Sequence, residues 1–301
     1  SGVGAVEKLP LPDFTKGGNL SLHFDSPAKA WESEGLPIGN GQMGAMLLGN
    51  PGLARIQFNE ESLWRGDEND TGKYQNFGEL TFQFAAANET PRESGYRRSL
   101  DLANAIHRAS WTRDGAGITQ EAFASFPAKV IVVRWTADKL GGLSGVLNLT
   151  DAHGAKTEIS GDTMTIAGDF PGYTYDGGKK WLPLHREAQV RVLHTGGSLV
   201  AKDGSLIVDK ADGVTLFLAA GTDFKQDRSA NWRGAMPHAA IAARLEAATK
   251  ASYEELLSGH IRDYRRLFDR LMTKVRIGLD STGDGAADVV RQPGAARLKR
   301  D

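Results

Sequence analysis

The sequence predicts a mainly β fold: a large antiparallel β-sandwich followed by a helical linker. Three observations predict it. Ten short strand-like segments follow one another between residues 20 and 222, with turn signals between them. No helical crossover pattern separates them, so neighbouring strands must pair antiparallel rather than through βαβ units. After Trp232 the apolar period changes from two to three or four residues.

The first predicted strand is "LSLHF" (20–24). "LPIGNGQMGAMLLGN" (36–50) then sets a glycine-rich turn hard against an apolar run. Gly39-Asn40-Gly41 offers positive-φ positions for a tight turn, and Met43 to Leu48 reads as a buried strand. "ARIQFN" (54–59) and "ELTFQF" (79–84) follow; Leu80, Phe82 and Phe84 alternate with polar residues, the mark of a half-buried strand. "AKVIVVRWTA" (128–137) holds the continuous run Val130 to Val133, which implies burial on both faces. "LSGVLNL" (143–149), "TMTIAG" (163–168), "EAQVRVLHT" (187–195), "SLIVD" (205–209) and "GVTLFLAAGT" (213–222) complete the set. "GDEND", "RDGAG", "TADKLGG", "DAHGA" and "AKDGS" punctuate it.

Two helices are predicted next. "PHAAIAARLEAAT" (237–249) is alanine-rich, with Pro237 suited to a first turn. In "SYEELLSGHIRDYRRLFDRLM" (252–272), Ser252 and Glu255 form a capping box. Leu256, Leu257, Ile261, Tyr264, Leu267, Phe268 and Leu271 recur on one side, so a face through Leu257, Ile261, Tyr264 and Phe268 must dock on something. "KVRIGLD" (274–280) reads as a strand, and the polar remainder as irregular. The expected division is an N-terminal extension (1–19), a β-sandwich (20–235), a helical linker (236–273) and a strand with a tail (274–301).

Composition narrows the function. The 301 residues are 40% hydrophobic and 24% charged, with a net charge of −1 and no cysteine. Disulfides and thiolate metal sites are excluded. No basic stripe interleaves with aromatics, so nucleic acid is not an expected partner. No apolar run approaches the roughly 18 residues of a membrane span. The seven histidines show no zinc spacing, and there is no nucleophile elbow or phosphate loop. "GDGAAD" (283–288) lacks the ligand spacing of a calcium loop. No cofactor and no metal is expected. The carboxylates Glu60, Glu61, Asp67, Glu68 and Asp70 lie on one stretch, which reads as a solvated charge run rather than a catalytic pair. The Ser-Gly start is compatible with a removed signal, and a periplasmic or extracellular setting is favoured.

"SPAKAWESEGLPIGNGQMGAMLLGN" followed by "RIQFNEESLWRGDEND" resembles the N-terminal domain of glycoside hydrolase family 95, the inverting α-L-fucosidases. The shared pattern runs through Trp31, Leu-Pro-x-Gly-Asn-Gly, Gly-Ala-Met and Asn-Glu-x-x-Leu-Trp. "YQNFGELTFQF", "YRRSLDLANAIHRASW", "QEAFASFPAKVIVVRWTAD" and "SYEELLSGHIRDYRRLFDRL" match further family segments in order, so the likeness covers roughly residues 20 to 280. The third of these resembles a family strand pair. The resemblance implies a supersandwich related to the N-terminal domains of maltose-phosphorylase-type enzymes, joined by a helical linker to an (α/α)₆ barrel.

In the family that barrel carries the glutamic acid and the aspartate base. Inverting hydrolysis needs two such groups about 6.5–9.5 Å apart. None of those positions maps onto this chain, so no catalytic residue is assigned and the chain alone is expected to be inactive. The link from Trp64 to Phe77 is also short, where many relatives insert a helical segment. The resemblance places Asn40, Gln42, Asn59, Glu60 and Trp64 toward the barrel, as contributors to a sugar pocket or to the domain interface. Amides bond hydroxyls and indoles pack on sugar rings. For Trp31 and Trp64 core packing is the competing reading, and for Asn59 and Glu60 strand-end capping. The expected partners are the barrel and carbohydrate, with self-association through the exposed surface. The alternative is a free-standing β-sandwich that binds carbohydrate or a partner without hydrolysis.

Overall fold

The computed structural model describes residues 20–66, 72–85, 91–170, 173–175, 179–181 and 183–274. The elements in chain order are β1 (Ser21–Phe24), α1 (Trp31–Glu34), β2 (Leu36–Gly39), β3 (Met43–Asn50), β4 (Leu53–Glu60), β5 (Trp64–Arg65), β6 (Lys73–Tyr74) and β7 (Gly78–Phe84). Then come β8 (Glu93–Asp101), β9 (Ile106–Arg113), β10 (Ala116–Ser125), β11 (Val130–Ala137), β12 (Leu143–Asp151), β13 (Glu158–Ser160) and β14 (Thr163–Phe170). The last are β15 (Tyr173–Tyr175), β16 (Lys179–Trp181), β17 (Leu184–Thr195), β18 (Ser198–Lys202), β19 (Ser205–Ala211), β20 (Gly213–Thr222), α2 (His238–Lys250) and α3 (Tyr253–Lys274). Lys274, the first residue of the predicted strand 274–280, ends α3 instead; the rest of that strand, the N-terminal extension and the tail lie outside the described residues, as do Asp67, Glu68 and Asp70.

Two antiparallel sheets form the sandwich. One has nine strands in the order β1-β8-β9-β10-β11-β20-β17-β14-β13, the other seven in the order β18-β19-β12-β7-β4-β3-β2. Between them lies the main core, where Phe82 meets Trp135 at 5.2 Å and Phe84 meets Trp111 at 5.4 Å between ring centroids. The Trp135 indole N–H is satisfied by Gln120 Oε1 at 2.9 Å, so its burial leaves no orphan donor.

The continuous run on β11 has the expected explanation. Ile131 and Val133 face the main core, while Val130 and Val132 join a second core with Phe123, Phe217 and Ala219 on the outer face. Ile241, Leu245 and Ala248 of α2 and Leu256 of α3 cover that outer strip. Among the described residues of 128–222 there is no helix.

Several expectations need correction. β8 and β9 were not read as strands, and β10 appeared only through the family strand pair. The inward positions of β9 are His107, Ala109, Trp111 and Arg113, so its alternation is hidden behind polar and small residues. Trp31 is not core: it opens the short helix α1 and is 49% exposed. In the turn before β3, only Gly41 has positive φ (90°). Pro237 caps α2 rather than occupying its first turn. The docked face of α3 includes the expected Leu257, Ile261 and Tyr264 and adds Leu256 and His260, both buried, whereas Leu267 is exposed. His260 Nε2 bonds the carbonyl of Asn104 at 2.9 Å, which makes a buried histidine acceptable there.

Candidate functional site

The candidate residues gather at one end of the sandwich, and two hydrogen bonds between the sheets close that end. The first involves Asn40. Its Oδ1 accepts from the backbone N–H groups of Gln42 and Met43 at 2.9 and 2.8 Å, closing the Gly-Asn-Gly turn as an Asx turn. Its Nδ2 donates to the Ser125 carbonyl at 3.0 Å, on the β10–β11 turn of the opposite sheet. The second link starts at Glu60. Glu60 Oε2 accepts from the Ser62 N–H at 2.9 Å and from Ser62 Oγ at 2.5 Å. Ser62 Oγ also lies 2.6 Å from Thr222 Oγ1 at the end of β20. Thr222 Oγ1 accepts from the Phe224 N–H at 3.1 Å, so donors run in one direction from Phe224 to the carboxyl.

Glu60 is buried at the last position of β4. Its pKa is raised, chiefly because burial disfavours the charged form. The Ser62 hydroxyl and N–H oppose the shift; the neighbouring charge of Glu61 adds to it, and Arg244 of α2 opposes it. Glu60 Oε1 takes no hydrogen bond among the described residues. Asn59 Oδ1 accepts from the Glu60 N–H at 2.9 Å, which is the strand-end cap. Its Nδ2 and the side-chain amide of Gln42 make no hydrogen bond among the described residues. Asn40 is therefore consumed in building the site, while Gln42, Asn59 and Glu60 keep polar atoms available.

Trp64 is 42% exposed, so it is not a core residue. Leu63, before it, is fully buried and anchors the segment. Tyr74 meets Trp64 edge to face at 5.0 Å across β5 and β6, and its hydroxyl donates to the Glu61 carbonyl at 3.2 Å. Phe126 and Phe224, beside the two cross-sheet links, are also exposed. The β8–β9 turn lies at this end as well, and Tyr264 of α3 donates to its Leu102 carbonyl at 2.7 Å.

A buried ion pair completes the end. Arg186 Nη2 donates to Asp151 Oδ2 at 2.6 Å, and that oxygen also accepts from the N–H groups of His153 and Ala155. The arrangement offers hydrogen-bonding groups and ring faces on a rigid rim. Among the described residues no group of three or more histidines or carboxylates could hold a metal ion. Among the described residues no helix is long and apolar enough to cross a membrane.

The family description "Glycosyl hydrolase family 65, N-terminal domain" matches residues 22–74 and 67–227, which spans most of the sandwich. The chain belongs to this family. The stretch matched by the family 65 N-terminal domain includes all five candidate residues and both cross-sheet links. "Alpha-L-fucosidase 2" of Arabidopsis thaliana is 26% identical over 91% of this chain and 38% of its own length. "Probable alpha-fucosidase A" of Aspergillus niger is 24% identical over 83% of this chain and 37% of its own length. The chain thus spans well under half of these curated relatives. The solved structure "Putative kojibiose phosphorylase from human microbiome" overlays 77% of this chain and 35% of its own with a TM-score of 0.44 and 11% identity.

Sequence reasoning missed Ser62, Tyr74 and Thr222 in this family 65 domain. Ser62 sits inside Asn-Glu-x-x-Leu-Trp and could have been singled out as a hydroxyl two residues from a candidate carboxylate. Thr222 carries no local signal, because only the packing of two sheets brings β20 to the end of β4.

Proposed function

We propose that this chain is the N-terminal β-domain of an inverting, α-L-fucosidase-like hydrolase of family 95, and that the sandwich end meets the catalytic barrel. Gln42, Asn59 and Glu60 supply hydrogen bonds there, Trp64 supplies a ring face, and Asn40 fixes the turn that presents them. One observation carries the reading: unspent polar atoms stand beside an exposed indole on an end tied rigidly by two cross-sheet bonds. Preformed sites that bind sugars need this combination of a ring face and a few fixed polar groups. The likeness to two α-fucosidases over most of the chain supports it.

The domain has no catalytic pair of its own in this reading. The 301-residue chain is expected to release no fucose from an α-1,2-fucosyl oligosaccharide. Turnover that disappears when a single carboxylate of this chain is mutated would sink the idea. Supplied in trans, the remaining portion of an α-fucosidase relative is expected to form a 1:1 complex that Trp64→Ala weakens. A complex indifferent to Trp64→Ala and Gln42→Ala would move the contact elsewhere.

A further inference from the structure

A second surface lies on a face of the molecule rather than at its end. β8, β9 and β10 point Leu100, His107, Ala109, Trp111 and Gln120 inward, so the alternate residues point out. α2 and α3 cover the outer face near β17, β20, β11 and the adjoining ends of β10 and β9. Beside them the outer face is an open groove of about 760 Å³. Binding sites for small ligands span roughly 300–1,000 Å³.

The register orders its polar groups in two cross-strand rows. His23, Ser99, Arg108 and Glu121 stand side by side in one, and Arg97, Ser110 and Thr119 in the next. Arg108 bridges Glu121 at 2.7 Å, and Tyr253 of α3 donates to the same carboxylate at 3.0 Å, which fixes that row beside the helix. Arg97 is exposed and has no ion-pair partner among the described residues. At the rim, Arg98 lies 4.2 Å from the centre of the Phe24 ring, and its guanidinium donates to the Ser26 and Glu34 carbonyls. Asp25 and three arginines line the groove; Arg98 is buried and Arg108 is paired with Glu121, so the exposed positive charge of the lining is Arg97.

His107, buried directly beneath the groove, has its pKa lowered to about 3, first by burial and then by the charges of Arg98 and Arg108.

We infer that this groove binds a carboxylate-bearing sugar chain, with Arg97 pairing the uronate, Ser99, Ser110 and Thr119 bonding hydroxyls, and the half-exposed Phe24 ring packing on a sugar face. Arginine pairs carboxylates bidentately, and a row of hydroxyls beside a ring suits a saccharide better than a bare anion. The inference does not depend on the reading of the sandwich end, because it uses none of those residues.

The test is calorimetric titration of the 301-residue chain with a hexameric oligogalacturonate and with its fully methyl-esterified, uncharged counterpart. The acid form is expected to bind. Its affinity should fall by about tenfold or more with the methyl ester and with Arg97→Glu. It should also weaken as salt rises from about 50 to 500 mM. Phe24→Ala should weaken both forms, and circular dichroism checks that each variant is folded. No binding by the unaltered chain overturns the inference. So does equal binding of the methyl ester, undiminished binding by folded Arg97→Glu, or equal competition by a DNA duplex, which would mark unspecific attraction of polyanions.

Discussion

Glu60 is the residue on which the candidate site turns. Its folded-state pKa lies above the usual 4.5 because burial disfavours the charge. The sign of the linkage follows: its contribution to stability is fully present below about pH 4.5 and is lost as pH rises through the folded pKa. Glu60→Gln keeps an acceptor for Ser62 and cannot ionise. In urea unfolding at stepped pH, the variant is expected to lose the decline just above pH 4.5 that the unaltered chain shows. Matching profiles would mean that Glu60 is solvated like an ordinary carboxylate. Asn40 and Trp64 were legible as sequence, one as a turn former and the other within a family motif. The Ser62–Thr222 contact was not, because hydroxyl pairs between two sheets leave no periodicity to read.

At the scale of elements, legibility followed how apolar the inward side chains are. β11 and β20 announce themselves because both of their faces are covered. β8 and β9 do not, since Arg98, His107 and Arg113 take inward positions that a hydrophobic pattern needs. Arg113 is satisfied there by Glu93 and by backbone carbonyls, including that of Phe84 at 3.3 Å. The start of α3 was the clearest local signal. Glu255 Oε2 accepts from the Ser252 N–H at 2.8 Å and from Ser252 Oγ at 2.9 Å, and Ser252 Oγ accepts from the Glu255 N–H at 3.2 Å. Ser252→Ala is therefore expected to cost about 1 kcal/mol, read as a lower midpoint in thermal melts. An unchanged midpoint would show that docking alone holds the first turn.

At the scale of the whole molecule, α2 and α3 belong to the sandwich as much as its strands do. Their apolar residues cover a strip of the nine-stranded sheet that water would otherwise meet. Leu245→Asp places a charge under that apolar cover and should release the helix. The variant is expected to bind a hydrophobic dye and to elute as aggregates in size exclusion. A monomer with the dye response of the unaltered chain would show that the strip tolerates exposure.

The same cover has a consequence for how the protein is made. A ribosome delivers β9 to β20 first and the helices that shield them last. For part of synthesis the nascent chain must carry Phe123, Val130, Val132 and Phe217 uncovered on a surface that has already paired its strands. A stall between Thr222 and His238 would leave a sheet that is fully hydrogen-bonded and still sticky.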